Sequence, residues 1–423
     1  MPYHTAATIL GFLFLSMAHE HGDEQPAKMR KLDAPEESHS GDSETKLTPK
    51  DGDEPQAKTG KVDGASEESH SVASKPQLPP DGYRSIRMDW AIEKKLAEAP
   101  HDKTEWRAAM EKAGDGKKDA DMAMIRALRT VIFMQTEMTV EAALATSEKK
   151  LGSGHQLAKD VCTKTLEFRA TEPESPSLES PSRPPKDVRV VKKDILDEAG
   201  DLRATGRSVA VLNMASARNP GGGFRNGAGA QEENLHRRSD LYRFTEGSSN
   251  LYPIFERHLI SPNVTVFRGN EKEGYPFLDK PFTVTMISAA APSKPVIALD
   301  YVYVDPATGE KYEIKKYADD SSADRNPFAN KKIMETKIQA ILDAAVEAGC
   351  DHAVLSAFGC GAFGNPPEAV AEMFRVALEK SKLTGVTFCI NPDHNDRKSH
   401  NPRGNYEPFH EAFNKRKVQV SLI

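Results

Sequence analysis

A glycine loop between an apolar strand and a pair of acids limits how this chain can fold more than any other feature. Residues 208–213 (SVAVLN) are typical of a buried strand in a parallel sheet. Residues 219–223 (NPGGG) follow, and after seven further residues comes QEE at 231–233. Three glycines allow a tight turn and let the backbone approach a ligand with no side chain in between. The order of strand, glycine loop and paired acids predicts an α/β fold with a site for a phosphorylated sugar.

A second strand and glycine loop lie further along the chain. The run HAVLSA at 352–357 predicts a short buried strand, and FGCGAFGNPP at 358–367 predicts a loop. Residues 368–380 carry apolar side chains near a 3.6-residue period and predict a helix. Pro366 and Pro367 suit its start, because a missing N–H costs nothing there. The free amides of a helix N-terminus bind phosphate well, so the two units together predict a diphosphate ligand.

These motifs resemble the microbial-type poly(ADP-ribose) glycohydrolase family, whose signature is a GGG triplet followed after a short spacer by QEE. The resemblance includes VLNMASARNP at 211–220 and GCGAFGN at 359–365. It also includes the residues that follow QEE, namely Leu235, Arg237, Arg238, Ser239, Leu241 and Tyr242. It covers roughly residues 186–395. It implies a macrodomain-like three-layer α/β/α sandwich with an N-terminal helical accessory region.

The activity implied by this resemblance is hydrolysis of the ribose–ribose O-glycosidic bonds of poly(ADP-ribose), with release of ADP-ribose. By the same resemblance, Glu233 is the general acid and then the base toward water, and Glu232 is the supporting acid that holds the ribose. The diphosphate of the substrate would help to shield the developing positive charge. A general acid needs a raised pKa, whereas the positive end of a helix lowers it, and burial can reverse that effect.

Three alternatives stay open at this point. The two acids could merely complement the dipole of a helix. The chain could also be a macrodomain-like protein that binds ADP-ribose without turnover, or one directed at mono-ADP-ribose. The intact pair of Glu232 and Glu233 favours the polymer hydrolase over a non-catalytic binding protein, because binding requires the glycine loops but no proton donor.

Further residues are assigned to substrate binding by the resemblance: Asp194, Asn219, Gly221, Gly222, Gly223, Gln231, Gly359, Cys360, Gly361, Ala362 and Phe363. We expect the glycine backbones at the ribose and diphosphate, and the Phe363 ring on a ribose. Phe363 could instead fill the core. Asp194 could bind the adenine amino group or cap a helix, and Asn213 and Asn219 could bind ribose or hold the turn. We expect no cofactor and no metal site.

Composition divides the chain into five segments. Residues 1–18 form a signal-like apolar segment, although no Lys or Arg precedes the apolar run. Residues 19–82 are polar and predict a disordered tail, in which 22–40 recur as 52–71. Residues 83–171 predict amphipathic helices, and 172–185 form a linker rich in proline and serine. The macrodomain-like domain is expected at 186–423.

One stretch departs from the family pattern. Between residues 293 and 326, the apolar run at 302–304, a turn-like DPATGE and the run at 312–314 predict a β-hairpin. It could be a solvated decoration of the surface, or a flap that affects which linkages reach the site.

The expected partner is poly(ADP-ribose) on ADP-ribosylated proteins. A formal net charge of −6 argues against direct DNA binding. The apolar run near residue 10 is too short for a stable membrane span. Four cysteines without a disulfide or zinc spacing, one of them in a ligand loop, favour an intracellular location in the cytoplasm or nucleus over secretion. We expect a monomer.

Overall fold

The structure of this protein is a computed structural model that describes residues 90–114, 116, 118–146, 150–151, 155–157, 163–167, 187–318, 330–392 and 394–414. The apolar segment at 1–18, the tail at 19–82 and the linker at 172–185 lie outside the described residues. In the part of the chain that is described, no helix combines the length and the apolar character needed to cross a membrane.

Three helices come first, as the amphipathic patterns predict. They are α1 (Trp90–Glu98), α2 (Lys103–Ala113) and α3 (Asp119–Ala145). The carboxylate of Asp102 caps α2 by accepting hydrogen bonds from the backbone N–H groups of Thr104 and Glu105. The segment is not entirely helical, because strands β1 (Lys150–Leu151), β2 (His155–Gln156) and β3 (Lys164–Glu167) follow α3. Strand β3 is defined by pairing with a strand about 95 residues later, which local periodicity cannot reveal.

A mixed seven-stranded sheet forms the centre of the described chain, in the order β3-β6-β7-β5-β10-β11-β4. The strands that join β3 are β4 (Asp187–Val191), β5 (Val209–Met214), β6 (Arg257–Arg268), β7 (Phe277–Ala289), β10 (His352–Leu355) and β11 (Gly385–Cys389). Neighbouring strands from β7 to β4 are parallel, whereas β6 runs antiparallel to β7 and to β3. Both sequence-predicted strands that precede glycine loops, β5 and β10, are therefore confirmed and lie side by side.

Helices cover both faces of this sheet, and the alternation of strand residues explains why β5 is apolar throughout. Val209 and Val211 pack in a core with helices α4 (Ile195–Ala204), α5 (Gln231–Arg238) and α6 (Leu241–Gly247). Ala210 and Leu212 pack in the opposite core with α7 (Lys331–Glu347), α8 (Pro367–Leu378) and α9 (Tyr406–Asn414). The predicted three-layer α/β/α sandwich is confirmed.

The hairpin expected between residues 293 and 326 is also present. Strands β8 (Ile297–Val304) and β9 (Lys311–Tyr317) pair with each other and form a sheet separate from the central one. At its base, the hydroxyl of Tyr317 donates a hydrogen bond of 2.8 Å to the side-chain oxygen of Asn365, immediately after the second glycine loop. The hairpin is thus joined to that loop by a buried hydrogen bond.

Helix α3 packs directly against the first glycine loop and α5. The ring of Phe133 lies edge-on to that of Phe224, with centroids 4.6 Å apart, and Thr136 donates a hydrogen bond of 2.6 Å to the carbonyl of Arg237. A Cβ atom on Gly227 would lie 1.9 Å from the carbonyl oxygen of Arg126, so the two backbones are in direct contact. The accessory helices are therefore part of the wall that shapes the loop.

Replacing Phe133 by alanine should lower the free energy of unfolding by about 3–5 kcal/mol, because a fully buried aromatic side chain leaves a cavity between α3 and the loop. Chemical denaturation followed by circular dichroism measures this change. Met138→Ala in the same helix is the matched control: its side chain is 41% exposed, so the variant should stay within about 0.5 kcal/mol of the native protein. Equal midpoints for both variants would show that α3 unfolds separately from the sandwich.

Candidate active site

Two buried carboxyl groups stand at the start of α5, at the edge of the sheet where the parallel strands end. Glu232 is 3% exposed and Glu233 is 6% exposed. The backbone N–H of Ser216 donates to Oε2 of Glu232 at 2.7 Å, and that of Gly223 donates to Oε1 of Glu233 at 2.8 Å. The second oxygen of each carboxyl is buried and has no hydrogen-bond partner within the described part of the chain. Each acid is thus fixed by one oxygen and can use the other toward a ligand.

Gly222 brings the loop backbone against both acids. Its φ is +63°, a conformation that favours glycine. A Cβ atom at this position would lie 2.4 Å from Oε1 of Glu233 and 2.9 Å from Oε2 of Glu232. Two oxygens from neighbouring glutamates therefore converge on one point, and only a residue without a side chain can occupy it.

Burial dominates the electrostatics of Glu232. Its low exposure, together with the neighbouring Glu233, outweighs the hydrogen bond from Ser216 and raises the pKa of Glu232 to about 8. Glu232 consequently keeps its proton at neutral pH. For this member of the pair, burial prevails over the lowering effect of the helix N-terminus.

Gln231, the first residue of the QEE motif, fastens α5 to strand β5. Its side-chain nitrogen donates to the carbonyl of Leu212 at 2.6 Å, and its side-chain oxygen accepts from the N–H of Met214 at 2.8 Å. Both ends of the amide are therefore bound to the end of the strand. These two hydrogen bonds to the backbone set the position of the two acids that follow.

The amides of the first glycine loop bind protein groups. The N–H of Gly222 donates to the carbonyl of Asn219 at 2.9 Å, and that of Gly223 donates to Oε1 of Glu233 at 2.8 Å. Asn219 itself is exposed, and its N–H donates to the hydroxyl of Ser216. The loop thus orients the carboxyl groups through its backbone.

Asn213 is buried beside the acids at the end of β5. Its side-chain nitrogen donates to the hydroxyl of Ser288 at 3.0 Å, and its side-chain oxygen has no hydrogen-bond partner among the residues that the structure describes. An acceptor of this kind at the carboxyl end of a strand can bind a sugar hydroxyl, because buried polar atoms are normally paired.

The second glycine loop, residues 359–364, leaves the adjacent strand β10. Gly359 and Gly364 have φ values of +75° and +78°. Within the described chain, the amides of Gly361, Ala362 and Phe363 donate none of the loop's backbone hydrogen bonds, whereas that of Gly364 donates to Gly361. Three consecutive amides before a helix that begins at Pro367 offer donors of the kind that bind a diphosphate.

Side chains of this loop point in different directions. Ala362 is exposed and Phe363 is half-buried, with its carbonyl accepting from the N–H of Lys294 at 2.8 Å. Cys360 is fully buried, and its burial raises the pKa of the thiol well above its usual value. Its carbonyl accepts from the ring of His400 at 2.8 Å. The Cys360 side chain is part of the apolar core, so Cys360 can contact a ligand only through its backbone.

Asp194, at the end of β4, is the N-cap of α4. Its Oδ1 accepts from the N–H groups of Leu196 and Asp197 and forms an ion pair of 2.7 Å with Arg238. Burial alone would raise the pKa of Asp194, but the guanidinium of Arg238 and the two N–H groups outweigh it and lower this pKa. These three bonds all use Oδ1, so the helix cap and an adenine contact through Oδ2 are compatible.

The residues that follow QEE have structural partners. Arg237 is fully buried and donates to the hydroxyl of Tyr275 at 2.7 Å and to the carbonyl of Ala228 at 2.8 Å. Arg238 binds Asp194 and Asp197. These bonds hold α5 between the glycine loop and the start of α4, which explains why the motif extends beyond the acids.

Sequence reasoning missed several residues of the site. The backbone N–H of Ser216 fixes Glu232, and although Ser216 lies in the family-like stretch 211–220, its residue type does not indicate this role. Asn365 is fully buried and donates to the carbonyls of Pro292 and Gly359 while accepting from Tyr317. Its position just before two prolines was an available signal. Tyr252 lies near Glu232: burial first, and then the charge of that acid, raise the pKa of Tyr252.

Among the described residues, no group of three or more His, Cys, Asp and Glu side chains is placed to hold a metal.

Residues 135–269 match the model of the family described as microbial-type PARG, catalytic domain. This segment contains α5, the first glycine loop and both buried acids. A search of curated proteins found no match.

Solved structures of poly(ADP-ribose) glycohydrolases are similar to this chain. One from Thermomonospora curvata bound to the inhibitor ADP-HPD is 21% identical, with a TM-score of 0.45, and covers 68% of this chain and 100% of its own. The T. curvata enzyme without that inhibitor is 23% identical, with a TM-score of 0.44, over 67% of this chain and 99% of its own. One from Deinococcus radiodurans in complex with ADP-ribose is 29% identical, with a TM-score of 0.39, over 54% and 84% respectively.

Gly222→Ala should reduce turnover of poly(ADP-ribose) by at least about 100-fold, because the new methyl group collides with both carboxyl groups and displaces them. Product release from the polymer, resolved by size, is the measurement. Gly309→Ala is the matched control. Gly309 also has a positive φ, +73°, but nothing lies within 4 Å of its Cβ position. Similar activity of the two variants would mean that the close approach at Gly222 is not required.

Glu232→Gln should gain stability relative to the native protein as the pH rises from about 5 to about 8. In the native state the pKa of Glu232 is raised from 4.5 to about 8, so between these values the native state binds more protons than the unfolded chain. This group therefore makes the free energy of unfolding fall with rising pH, and glutamine removes that dependence. Urea denaturation at several pH values measures it. The exposed Glu347→Gln variant serves as control, and a pH-independent difference for Glu232→Gln would contradict the raised pKa.

Proposed function

We infer that this chain, which belongs over its matched segment to the microbial-type poly(ADP-ribose) glycohydrolase family, hydrolyses the glycosidic bonds between the ADP-ribose units of poly(ADP-ribose). The observation that carries this conclusion is the pair Glu232 and Glu233. Both are buried, each is fixed through one oxygen by a backbone N–H, and each keeps a second oxygen without a partner. Hydrolysis of a glycoside requires a proton donor held at the leaving oxygen and a base for water, and carboxyl groups supply both.

In the proposed reaction, Glu233 donates a proton to the oxygen that links the two riboses as the bond from the anomeric carbon to that oxygen breaks. The leaving unit departs with a free hydroxyl group, and the ribose that stays behind carries the developing positive charge. The Glu233 carboxylate then removes a proton from water as the water oxygen attacks the anomeric carbon. Free ADP-ribose is the product and Glu233 is again protonated.

Glu232 has a supporting role in this proposal. Because burial raises its pKa to about 8, it is protonated at neutral pH and can donate a hydrogen bond to a ribose oxygen. A neutral Glu232 also adds no second negative charge next to Glu233. We assign it to holding the ribose, and Gln231 to positioning both acids through its bonds to β5.

The second glycine loop is the proposed diphosphate site. The amides of Gly361, Ala362 and Phe363 supply donors, and α8 places its N-terminus directly behind them. We propose that Phe363, which is half-buried, packs on a ribose and that Oδ2 of Asp194 accepts from adenine. Under this arrangement ADP-ribose extends along the sheet edge from β4 to β5.

A macrodomain-like protein that binds ADP-ribose without cleaving it is the alternative. It would need the loop at 359–364 but not two unpaired, buried carboxyl oxygens, which cost free energy to desolvate. We further propose that the protein is an intracellular monomer that does not bind DNA directly. The net charge of −6 supports the last point, and the free, buried cysteines Cys350, Cys360 and Cys389 suit a reducing compartment.

Glu233→Gln should lower the rate of hydrolysis by about 10²–10⁴-fold, because glutamine can still accept the hydrogen bond from Gly223 but cannot transfer the proton. ADP-ribose affinity, measured by calorimetry, should change little. Glu347→Gln on the exposed end of α7 is the matched control for loss of one carboxylate.

The parallel variant Glu232→Gln tests the division of roles. We expect it to raise KM more than Glu233→Gln does and to reduce kcat less. If Glu232→Gln abolishes hydrolysis while Glu233→Gln retains a near-native rate, the acid has been assigned to the wrong residue. If the native protein binds ADP-ribose and no variant or native protein releases it from polymer, the non-catalytic alternative is correct.

A further inference from the structure

An arginine that has no role in the proposed proton transfers lies over an exposed aromatic ring near Glu232 and Glu233. The guanidinium carbon of Arg218 is 4.9 Å from the ring centroid of Phe255. Phe255 is 36% exposed, whereas its neighbour Ile254 is fully buried. In the part of the chain that the structure describes, Arg218 forms no ion pair with a carboxylate.

The backbone around this pair is firmly held. The N–H of Ile254 donates to the carbonyl of Ala217 at 2.8 Å, and Nζ of Lys337 donates to the carbonyl of Phe255 at 2.5 Å. Beneath the pair lies an apolar cluster of Ala215, Ile254, Leu259 and Ala290. The ring of Phe255 is therefore exposed on a rigid base.

The pair is close to the acids because Ser216, whose N–H binds Glu232, is only two residues before Arg218. Two residues span at most about 7 Å of backbone. Phe255 precedes β6, and because Leu259 of β6 pairs with Ser288 of β7, the start of β6 lies at the same sheet edge as the site. Asp194 follows β4 at the opposite end of the strand order. The glutamates thus lie between Asp194 and the pair.

We propose that Arg218 and Phe255 form a subsite for the leaving unit of the polymer, with its adenine stacked on the exposed aromatic and guanidinium surface. This inference rests on the proposed function and specifies its substrate. The leaving oxygen belongs to the ribose of an adenosine, so an adenine is attached to the very sugar that departs. If the cleaved unit extends toward Asp194, that sugar lies on the side of β6, where the pair is.

The chemistry of the pair suits this occupant. Stacking of a base on an aromatic ring or a guanidinium plane is a common mode of nucleotide binding, and it tolerates a solvent-exposed site. Each polymer unit also carries an anionic diphosphate, which a guanidinium without a carboxylate partner attracts. The subsite gives the enzyme a preference for a nucleoside leaving group over an amino-acid side chain, which separates polymer from mono-ADP-ribose on proteins.

Phe255→Ala and Arg218→Ala test this proposal in the full chain. Each should lower kcat/KM for poly(ADP-ribose) about tenfold, a loss of ~1.4 kcal/mol, while the Kd of free ADP-ribose, which lacks a leaving unit, stays unchanged. Phe255→Trp keeps a stacking surface and should restore near-native kcat/KM. Arg375→Ala, which removes one exposed arginine of α8, is the matched control for loss of charge and should have no effect.

Two results would overturn the subsite. One is an unchanged kcat/KM in both alanine variants; the other is an equal loss of affinity for free ADP-ribose, which would mark the pair as part of the ADP-ribose pocket.

Failure of the proposed function gives a different result, because the native protein itself then releases no ADP-ribose. Binding of intact polymer to Glu233→Gln, with and without Phe255→Ala, decides the subsite in that case. Weaker polymer binding in the double variant supports it, and equal binding rejects it.

Discussion

The rest of the site depends on one contact, in which the backbone of Gly222, a residue without a side chain, lies against the buried carboxyl groups of Glu232 and Glu233. Glu232 and Glu233 are excluded from water, and the free energy that this costs is offset by N–H groups of Ser216 and Gly223. Gly222 allows these donors to approach, because no Cβ stands between the loop and the acids. The same burial gives Glu232 a proton at neutral pH. Burial against the glycine loop thus determines both the positions of the two acids and the protonation of Glu232.

Much of the surrounding structure serves to hold that contact in place. Gln231 binds the end of β5 at both ends of its amide, and Arg237 ties α5 to the loop carbonyl of Ala228. On the other side of α5, Arg238 reaches Asp194 and Asp197 at the start of α4. Residues of one short motif therefore connect the glycine loop, the central sheet and a neighbouring helix.

The sequence predicted the strands, loops and acids well, because these are local signals. The apolar runs at 208–213 and 352–357 are strands β5 and β10, QEE opens α5, and Pro367 opens α8. Long-range pairing escaped prediction. Strand β3, the hydrogen bond from Tyr317 to Asn365 and the contact of Arg218 with Phe255 all join residues that lie tens of positions apart in the sequence. The sequence also could not show which way each side chain points. Cys360 lies in the second glycine loop, yet its side chain is fully buried.

The packing of α3 on the glycine loop has a consequence for where an autonomous folding unit begins. A fragment that starts at residue 186 would contain both glutamates and both loops, yet it would lack Phe133, Val140 and Ala143. The buried rings of Phe224, Tyr242 and Phe267, which share a core with these residues, would then face water. Such a fragment would be prone to self-association through this uncovered surface. The smallest fragment that keeps this core covered therefore includes residues of the N-terminal helices, and it begins well before the sandwich does.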